Sequence, residues 1–252
     1  MKLKFVKYQG AGNDFVLLDE RQGLPLSLTQ QQVAGLCDRR FGIGADGLMT
    51  LGRGENGLDF SMRYFNCDGL ESTMCGNGGR AITRYADDLG IGGVSKTFSA
   101  VDGIHRSTIN HDDTISLQMI DIDKVECRGD DFFVQSGSPH YIIFDQAYDQ
   151  TRARQLREQW NANVNFVQDL GLGRLAIRTF ERGVEAETWA CGTGATAAAV
   201  AMAYRSASNR SEYILKALGG VLRVAWSMDN GIYRHVILTG PAERVFEGEI
   251  EI

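Results

Sequence analysis

The feature that most constrains this chain is an internal repeat. The segment Met62–Asn66 precedes Cys75-Gly76-Asn77-Gly78, and Ile177–Glu181 precedes Cys191-Gly192-Thr193-Gly194. In both copies a strand-like apolar-Arg-x-Phe sequence leads through a turn region into Cys-Gly-x-Gly and then into a segment with helical character. Short glycine motifs recur by chance, but matched blocks in the same order predict a duplicated domain.

A second pair of blocks lies upstream of the first. Gly12–Asp19 resembles Gly137–Asp145, with a turn followed by an apolar run and an aspartate. A chain of 252 residues can form one large domain or two smaller ones. The repeat favours two, over residues 1–115 and 116–240, and residues 241–252 are expected to complete the first.

Composition narrows the class of protein. Hydrophobic residues make up 43% and charged residues 23%, which suits a folded core. The net charge of −6 argues against a nucleic-acid partner, which needs a basic surface. Thirty glycines against three prolines indicate many tight turns or close backbone approaches to a ligand.

Localisation and metal content follow from other simple patterns. No apolar stretch follows the lysines of 1–7, and the apolar run Ala195–Tyr204 is too short to cross a bilayer. We therefore expect a cytoplasmic protein with no membrane partner. Five cysteines without a C-x-x-C pair favour free thiols, and we expect no metal site.

The local patterns predict an α+β protein rather than a doubly wound parallel sheet, because strands and helices do not alternate strictly. Thr29–Gln32 is a capping box that predicts a helix, with Cys37 on its buried face. Further helices are predicted over Asp149–Trp160, Gly76–Leu89 and Gly192–Arg205. Short strands are predicted at 15–18, 48–51, 115–117, 141–144 and 221–224.

The two motif cysteines have a common chemical setting. Each stands at a predicted helix N-terminus, where unsatisfied N–H groups and the helix dipole stabilise a thiolate. The glycines that follow allow a ligand carboxylate to reach those N–H groups. Cys75 and Cys191 could then act on opposite faces of an α-carbon, one removing a proton while the other donates one. The simpler alternative is that both are helix-cap or core residues.

Three other interpretations are weaker. Gly42-Ile43-Gly44-Ala45-Asp46-Gly47 matches G-x-G-x-x-G, but a strand follows it instead of a helix, so a dinucleotide site is not expected. A thiol redox protein cycling between Cys75 and Cys191 remains an alternative, as does an amino-acid-binding module without catalysis. We expect no cofactor, since no lysine stands in a Schiff-base motif.

The motifs taken together resemble diaminopimelate epimerases along nearly the whole chain. The matching segments are Gly12–Phe15, Phe41–Gly47, Phe65-Asn66, Met74–Gly78, Glu181–Gly183, Ala190–Gly194 and Gly240–Ala242. The resemblance implies a pyridoxal-independent isomerase that interconverts LL- and meso-diaminopimelate for lysine and peptidoglycan synthesis. It also implies two similar domains, each a mixed or antiparallel sheet curled around a central helix, with the active site in the cleft between them.

The resemblance also implies roles for individual residues. Cys75 and Cys191 would be the catalytic acid–base pair, and His140 and Glu181 would tune them. Substrate would be bound by nine residues, namely Asn13, Asn66, Gly76, Asn77, Asn163, Glu181, Arg182, Gly192 and Thr193. A homodimer is expected, with Phe246 at the position of the family's dimer aromatic residue.

Two departures from the family pattern bear on the substrate. Ser138 stands where an asparagine is common, and the loop at 183–187 is one residue longer than the usual version. Serine is shorter than asparagine, so contacts to the distal end of the substrate would change. The alternative is therefore another amino-acid racemase of the same superfamily, acting on histidine, proline or hydroxyproline.

Overall fold

The computed structural model describes residues 2–21 and 28–252. The chain divides into two compact units, Met1–Leu117 with Pro241–Ile252, and Gln118–Gly240. Within the described residues, strands predominate and four helices are present, which confirms the α+β class. None of these helices is both long and apolar enough to span a membrane.

The first unit is a mixed sheet with two helices. Its elements are β1 (Lys2–Gly10), β2 (Asn13–Asp19), α1 (Gln30–Cys37), β3 (Gly47–Arg53), β4 (Phe60–Asn66), β5 (Glu71–Ser72), α2 (Gly76–Asp88), β6 (Ser95–Ala100), β7 (Gly103–Ile109), β8 (Ile115–Gln118) and β18 (Glu243–Glu251). The strand order is β18-β1-β2-β3-β4-β6-β7-β8, with β5 also on β4. The β2–β3 and β4–β6 pairs are parallel and the others antiparallel.

The second unit repeats this arrangement. Its elements are β9 (Val125–Arg128), β10 (Asp131–Gln135), β11 (Pro139–Phe144), α3 (Gln150–Trp160), β12 (Asn163–Asp169), β13 (Arg174–Glu181), β14 (Ala186–Thr188), α4 (Gly192–Arg205), β15 (Glu212–Lys216), β16 (Val221–Asp229) and β17 (Ile232–Gly240). The order is β9-β10-β11-β12-β13-β15-β16-β17, with β14 on β13. Its parallel pairs are β11–β12 and β13–β15, so each strand matches one of the first unit.

The helix after each motif cysteine forms the centre of its unit. From Gly192 to Ala203 every residue of α4 except Thr193 is buried, which the run of alanines and small residues permits. The strands β9–β13 and β15–β17 all pack against this helix. In the first unit α2 packs against β1–β4, β7 and β18. Each sheet is therefore curled around one helix, as predicted.

The two peripheral helices begin at or one residue after the predicted starts. Thr29 caps α1 in a complete capping box with Gln32, and Asp149 accepts from two N–H groups at the start of α3. Cys37 is buried in α1, as predicted. Cys67 and Cys127 are both exposed, so neither contributes to a core.

Candidate active site

In the first unit, Cys75 is the N-cap of α2, where its backbone is extended. Its Sγ accepts a hydrogen bond from the Gly78 N–H at 3.2 Å. A Cβ on Gly78 would lie 3.1 Å from that sulfur, so glycine leaves room for the sulfur to fold back over the helix start. The half-buried thiol thus lies at the positive end of the helix dipole, where a thiolate is stabilised.

A buried arginine lies one turn into the same helix. The Arg80 side chain is fully buried and donates to the carbonyls of Gly76 (3.1 Å) and Pro241 (3.3 Å) and to Asn77 Oδ1 (2.7 Å). Within residues 2–21 and 28–252 no carboxylate lies within 4.0 Å of its guanidinium. Burial lowers the pKa of Arg80 to about 10, and the negative charge of Cys75 acts in the opposite direction. Arg80 therefore stays cationic at neutral pH and favours a thiolate at Cys75.

Amide side chains extend this network to the start of β2. The Asn77 Nδ2 donates to Asn13 Oδ1 at 3.2 Å, and Asn13 Nδ2 donates to Asp46 Oδ2 at 2.6 Å. Because Arg80 fixes the oxygen of Asn77 and Asp46 fixes the nitrogen of Asn13, both amides have defined orientations. The structure thus brings together Asn13, Asn77 and the Cys75 helix start.

Charged side chains surround Asp14, the residue that follows Asn13. Asp14 accepts from Arg39 in a bidentate pair (2.7 and 2.9 Å) and lies 2.8 Å from the buried Lys7 ammonium, which also donates to the Gly44 carbonyl. Burial raises the pKa of Asp14, but hydrogen bonds from Arg39 and Lys7 outweigh it and lower the value to about 2. The carboxylate is thus ionised throughout the physiological range.

The remaining predicted residue of the first unit is Asn66, the last residue of β4. It is half-buried and pairs with Gly47 of β3, which in turn pairs with Phe15 of β2. Asn66 therefore lies at the end of the sheet where β2 and β3 begin.

In the second unit, Cys191 is the N-cap of α4 and is buried. Its Sγ lies 3.4 Å from the Thr193 hydroxyl. Unlike Cys75, the Cys191 side chain accepts no capping hydrogen bond from the N–H groups of the first helical turn. The Ser136 hydroxyl donates to the Thr193 carbonyl at 2.8 Å, which ties the motif to the end of β10. Ser138 Oγ lies 3.3 Å from the same threonine hydroxyl, so this serine contacts the cysteine motif.

His140 lies beneath this motif and is fully buried. Its Nε2 lies 2.9 Å from Thr193 Oγ1, and its Nδ1 lies 3.0 Å from Asn165 Nδ2. Burial lowers the pKa of His140 to about 3, and the positive charge of Arg182 adds to this shift. The imidazole is therefore neutral at physiological pH.

The polar residues at the ends of β12 and β13 form a second group. The Arg182 N–H donates to Asn163 Oδ1 at 2.8 Å, and its guanidinium donates to the Asn161 carbonyl at 3.1 Å. Glu181 accepts from the Thr188 hydroxyl at 3.0 Å. Asn163 also lies 3.4 Å from His140 Nε2, so this group adjoins the Cys191 motif.

Sequence reasoning missed Arg80, Asn165 and Thr179. Arg80 had a local signal, since it is the one charged residue in a helix turn whose counterpart in the second copy is Thr196. Asn165 lies among valines and a phenylalanine in a buried strand, and such an isolated polar residue in an apolar strand predicts a buried hydrogen-bond network. Its partners could not be read from the sequence, because strand register brings them together.

Comparison with known proteins decides the family. The family model described as diaminopimelate epimerase matches residues 5–125 and 132–245, which is most of the chain. The chain belongs to the diaminopimelate epimerase family. The diaminopimelate epimerase of Flavobacterium psychrophilum is 42% identical over 98% of this chain and 100% of its own length. That of Chlorobaculum tepidum is 38% identical over 96% of this chain and 99% of its own. This family member is accordingly an isomerase.

The fold of this epimerase-family chain is also found in a solved structure of a protein from another family. A phenazine biosynthesis protein of the PhzF family from Bacillus anthracis superimposes with a TM-score of 0.78 at 16% identity, covering 100% of both chains. At such low identity the likeness concerns the fold alone.

Proposed function

We propose that this protein is a two-base epimerase that interconverts LL- and meso-2,6-diaminopimelate, with Cys75 and Cys191 as the acid–base pair and without a cofactor. The observation that carries the proposal is the duplicated helix start, in which a cysteine N-cap is followed by Gly-x-Gly in both units. Inversion of an α-carbon requires one group to remove the proton and another to deliver one to the opposite face.

The reaction must begin with one thiolate and one thiol, and the two motifs differ in a way that suits this requirement. The Cys75 sulfur accepts the Gly78 N–H and lies on a helix with a buried, cationic Arg80. The Cys191 sulfur has a neutral hydroxyl neighbour, Thr193, on a helix without a buried arginine. These surroundings support Cys75 as the thiolate of the resting enzyme and Cys191 as the thiol, in a pair that titrates together.

The substrate's charged groups find matching partners among the described residues. At the first turns of α2 and α4, Gly76-Asn77 and Gly192-Thr193 offer backbone N–H groups without an intrahelical acceptor, suited to the reacting α-carboxylate. We assign the distal amino-acid end to Arg182, as a fork for its carboxylate, and to Glu181, as an acceptor for its ammonium group. Asn13, Asn66 and Asn163 would complete the polar lining, and His140 and Glu181 would tune the cysteines.

The reaction type and the substrate can be tested in one assay. Enzyme kept reduced is incubated in deuterated water with LL-diaminopimelate and, separately, with histidine, proline and hydroxyproline. The proposal expects deuterium at one α-carbon of diaminopimelate and formation of the meso isomer. Exchange only with another amino acid would assign the chain to that racemase activity, and binding without any exchange would refute catalysis.

Cysteine variants test the assignment of the two bases. Cys75→Ala and Cys191→Ala are each expected to lower kcat by at least about 10³-fold, because one proton transfer loses its group. Cys127→Ala is the matched control, since it removes an exposed thiol outside both motifs. Turnover retained by either motif variant would remove that cysteine from the mechanism. Activity lost on air oxidation and restored by a thiol reductant would fit a disulfide as a side reaction, whereas reductant-dependent electron transfer would favour the redox alternative.

We also propose that the protein forms a homodimer through the outer face of β18. Phe246 packs edge-on against Phe5, with ring centroids 5.8 Å apart, yet remains 46% exposed, and the neighbouring Val245 is 55% exposed. Sedimentation velocity is expected to give a dimer that Phe246→Glu dissociates. Leu172→Glu, at another exposed apolar position, is the control and should leave the dimer intact.

A further inference from the structure

The second unit contains a buried polar chain that is absent from the first. Strand register equates His140, Asn165 and Thr179 with Phe15, Met49 and Tyr64, because the paired positions of β11–β13 correspond to those of β2–β4. The equivalence extends to the helices, where a Cβ on Gly194 would meet Asn165 and one on Gly78 would meet Met49. The first unit has phenylalanine, methionine and tyrosine at these positions, so its cysteine motif lacks the His–Asn–Thr chain.

The amide of Asn165 has a single permitted orientation. Its Nδ2 lies 3.3 Å from the Tyr141 carbonyl, which can only accept, so the NH₂ group must face that oxygen. The opposite atom, Oδ1, then accepts the Thr179 hydroxyl at 2.9 Å. Since Asn165 is fully buried, no water competes for these contacts.

This orientation fixes the proton of the neutral imidazole. The second Nδ2 hydrogen of Asn165 points at His140 Nδ1, 3.0 Å away, so Nδ1 must accept and the proton must reside on Nε2. The nearest partner of Nε2 is Thr193 Oγ1 at 2.9 Å, which accepts a hydrogen bond from Nε2–H. The Asn163 NH₂ at 3.4 Å is a longer contact, and that group also donates to the Pro139 carbonyl.

We propose that Asn165 and Thr179 are positioning residues that hold His140 as its Nε2–H tautomer, so that the Thr193 hydroxyl directs its own proton to the sulfur of Cys191. A hydroxyl that accepts from Nε2–H has its hydrogen available for a second partner. The Cys191 sulfur lies 3.4 Å away, and the Ser138 hydroxyl, at 3.3 Å, can donate its own hydrogen to Thr193 rather than accept. If the ring proton resides on Nδ1 instead, Nε2 accepts a hydrogen bond from the Thr193 hydroxyl. The hydroxyl hydrogen then no longer points at the Cys191 sulfur.

These hydrogen-bonded side chains stabilise Cys191 when its sulfur carries negative charge, since a hydroxyl donor stabilises a thiolate. His140 itself gains and loses no proton in this arrangement. The inference rests on the proposed function, because it assigns the second base a donor that acts when that base is ionised. It predicts an effect on the chemical step more than on substrate binding.

The first experiment measures the tautomer directly in the full-length protein without substrate. In protein labelled with ¹⁵N-histidine, two-bond ¹H–¹⁵N correlations separate protonated from unprotonated ring nitrogens, and loss of one pattern in His140→Gln assigns it among the four histidines. Neutral His140 protonated at Nε2 is expected. An Nδ1–H ring or an imidazolium at neutral pH would overturn the inference, whatever the enzyme's activity.

Variants then connect the tautomer to catalysis. Thr179→Val removes the hydroxyl at nearly constant shape and is expected to mix the tautomers and lower kcat about 10-fold with little change in KM. Thr179→Ser should restore both readouts. Asn165→Asp offers only acceptors to Nδ1, and should move the proton there and lower kcat about 100-fold. Thr196→Val, which loses a buried hydroxyl bonded to the Gly192 carbonyl, is the control and should leave the His140 signals unchanged.

The results separate this inference from the proposed function. Wild-type protein that exchanges no amino-acid α-proton would refute the function, while the tautomer measurement would still decide the positioning roles. Conversely, an active enzyme in which Thr179→Val and Asn165→Asp leave both the tautomer and kcat unchanged would refute the positioning roles alone.

Discussion

The contact between Gly194 and the buried Asn165 gives a prediction whose sign can be worked out. A Cβ at Gly194 would lie 2.6 Å from Asn165 Oδ1 and 3.3 Å from His140 Cε1. The amide cannot retreat, because Thr179 and the Tyr141 carbonyl hold it. Overpacking of this kind costs about 1–3 kcal/mol, whereas alanine in a helix gains at most about 1 kcal/mol over glycine. Gly194→Ala should therefore destabilise the protein by about 1–2 kcal/mol.

Two other helical glycines serve as matched controls. Gly35 is exposed in α1, and a Cβ there would have no neighbour within 4 Å, so Gly35→Ala should stabilise by about 0.5–1 kcal/mol. A Cβ on Gly78 would meet the flexible Met49 side chain at 3.2 Å and the Cys75 sulfur at 3.1 Å. Gly78→Ala should therefore change stability little while displacing the sulfur and slowing turnover.

Urea denaturation followed by circular dichroism measures all three variants, with stability compared through the midpoint at constant m-value. The expected order of stability is Gly35→Ala above wild type and Gly194→Ala below it. Stabilisation of the Gly194→Ala variant to the extent seen for Gly35→Ala would show that the helix does not approach Asn165 closely, and would refute the fixed orientation of the Asn165 amide.

Three further predictions concern charge. Arg80→Met should slow alkylation of Cys75 by iodoacetamide at fixed pH, measured by mass spectrometry of the modified peptide, and an unchanged rate would contradict electrostatic support from the guanidinium. Burial raises the pKa of Asp14, but the hydrogen bonds from Arg39 and a buried lysine lower it to about 2, below its ordinary value of 3.8. The stability that the Asp14 carboxylate contributes is therefore complete above pH 3.8 and is lost as the pH falls towards 2. Asp14→Asn should remove that acid-dependent loss, on the order of 2 kcal/mol, from urea midpoints measured between pH 5 and 2. The pKa of His140, lowered by burial to about 3 from 6.5, predicts stability that is complete above pH 6.5 and declines towards pH 3; His140→Gln should flatten this decline, and an unchanged slope would argue against a buried neutral ring.

Local signals account for what the sequence predicted well. The helix Gly192–Arg205 has the predicted bounds, and Gly76–Asp88 ends one residue before the predicted end, so the motif cysteine marked the start of each helix. The capping box at Thr29 likewise determined the start of α1. The repeat predicted that two units share one architecture, since similar segments fold into similar elements.

What the sequence did not predict depends on contacts between distant strands. Thr179 faces Asn165 only because β12 and β13 pair in one register, and a shift of β13 by one residue would turn Thr179 to the face of the sheet opposite Asn165. Asn13 and Asn77 meet because α2 packs across β2, which no local pattern encodes. The roles of these residues towards a substrate remain predictions.

The position of β18 has a consequence for the order in which the chain can assemble. The second unit is built from one uninterrupted stretch, Gln118–Gly240, whereas the first needs Pro241–Ile252. On the ribosome the first unit is made earlier, yet its sheet keeps an open edge along β1 until β18 has emerged. Lys2 and Glu251 are paired in adjacent strands, so a short linker could join them. A circular permutant beginning at Pro241 would make both units contiguous and should shorten the time during which that edge is exposed to other nascent chains.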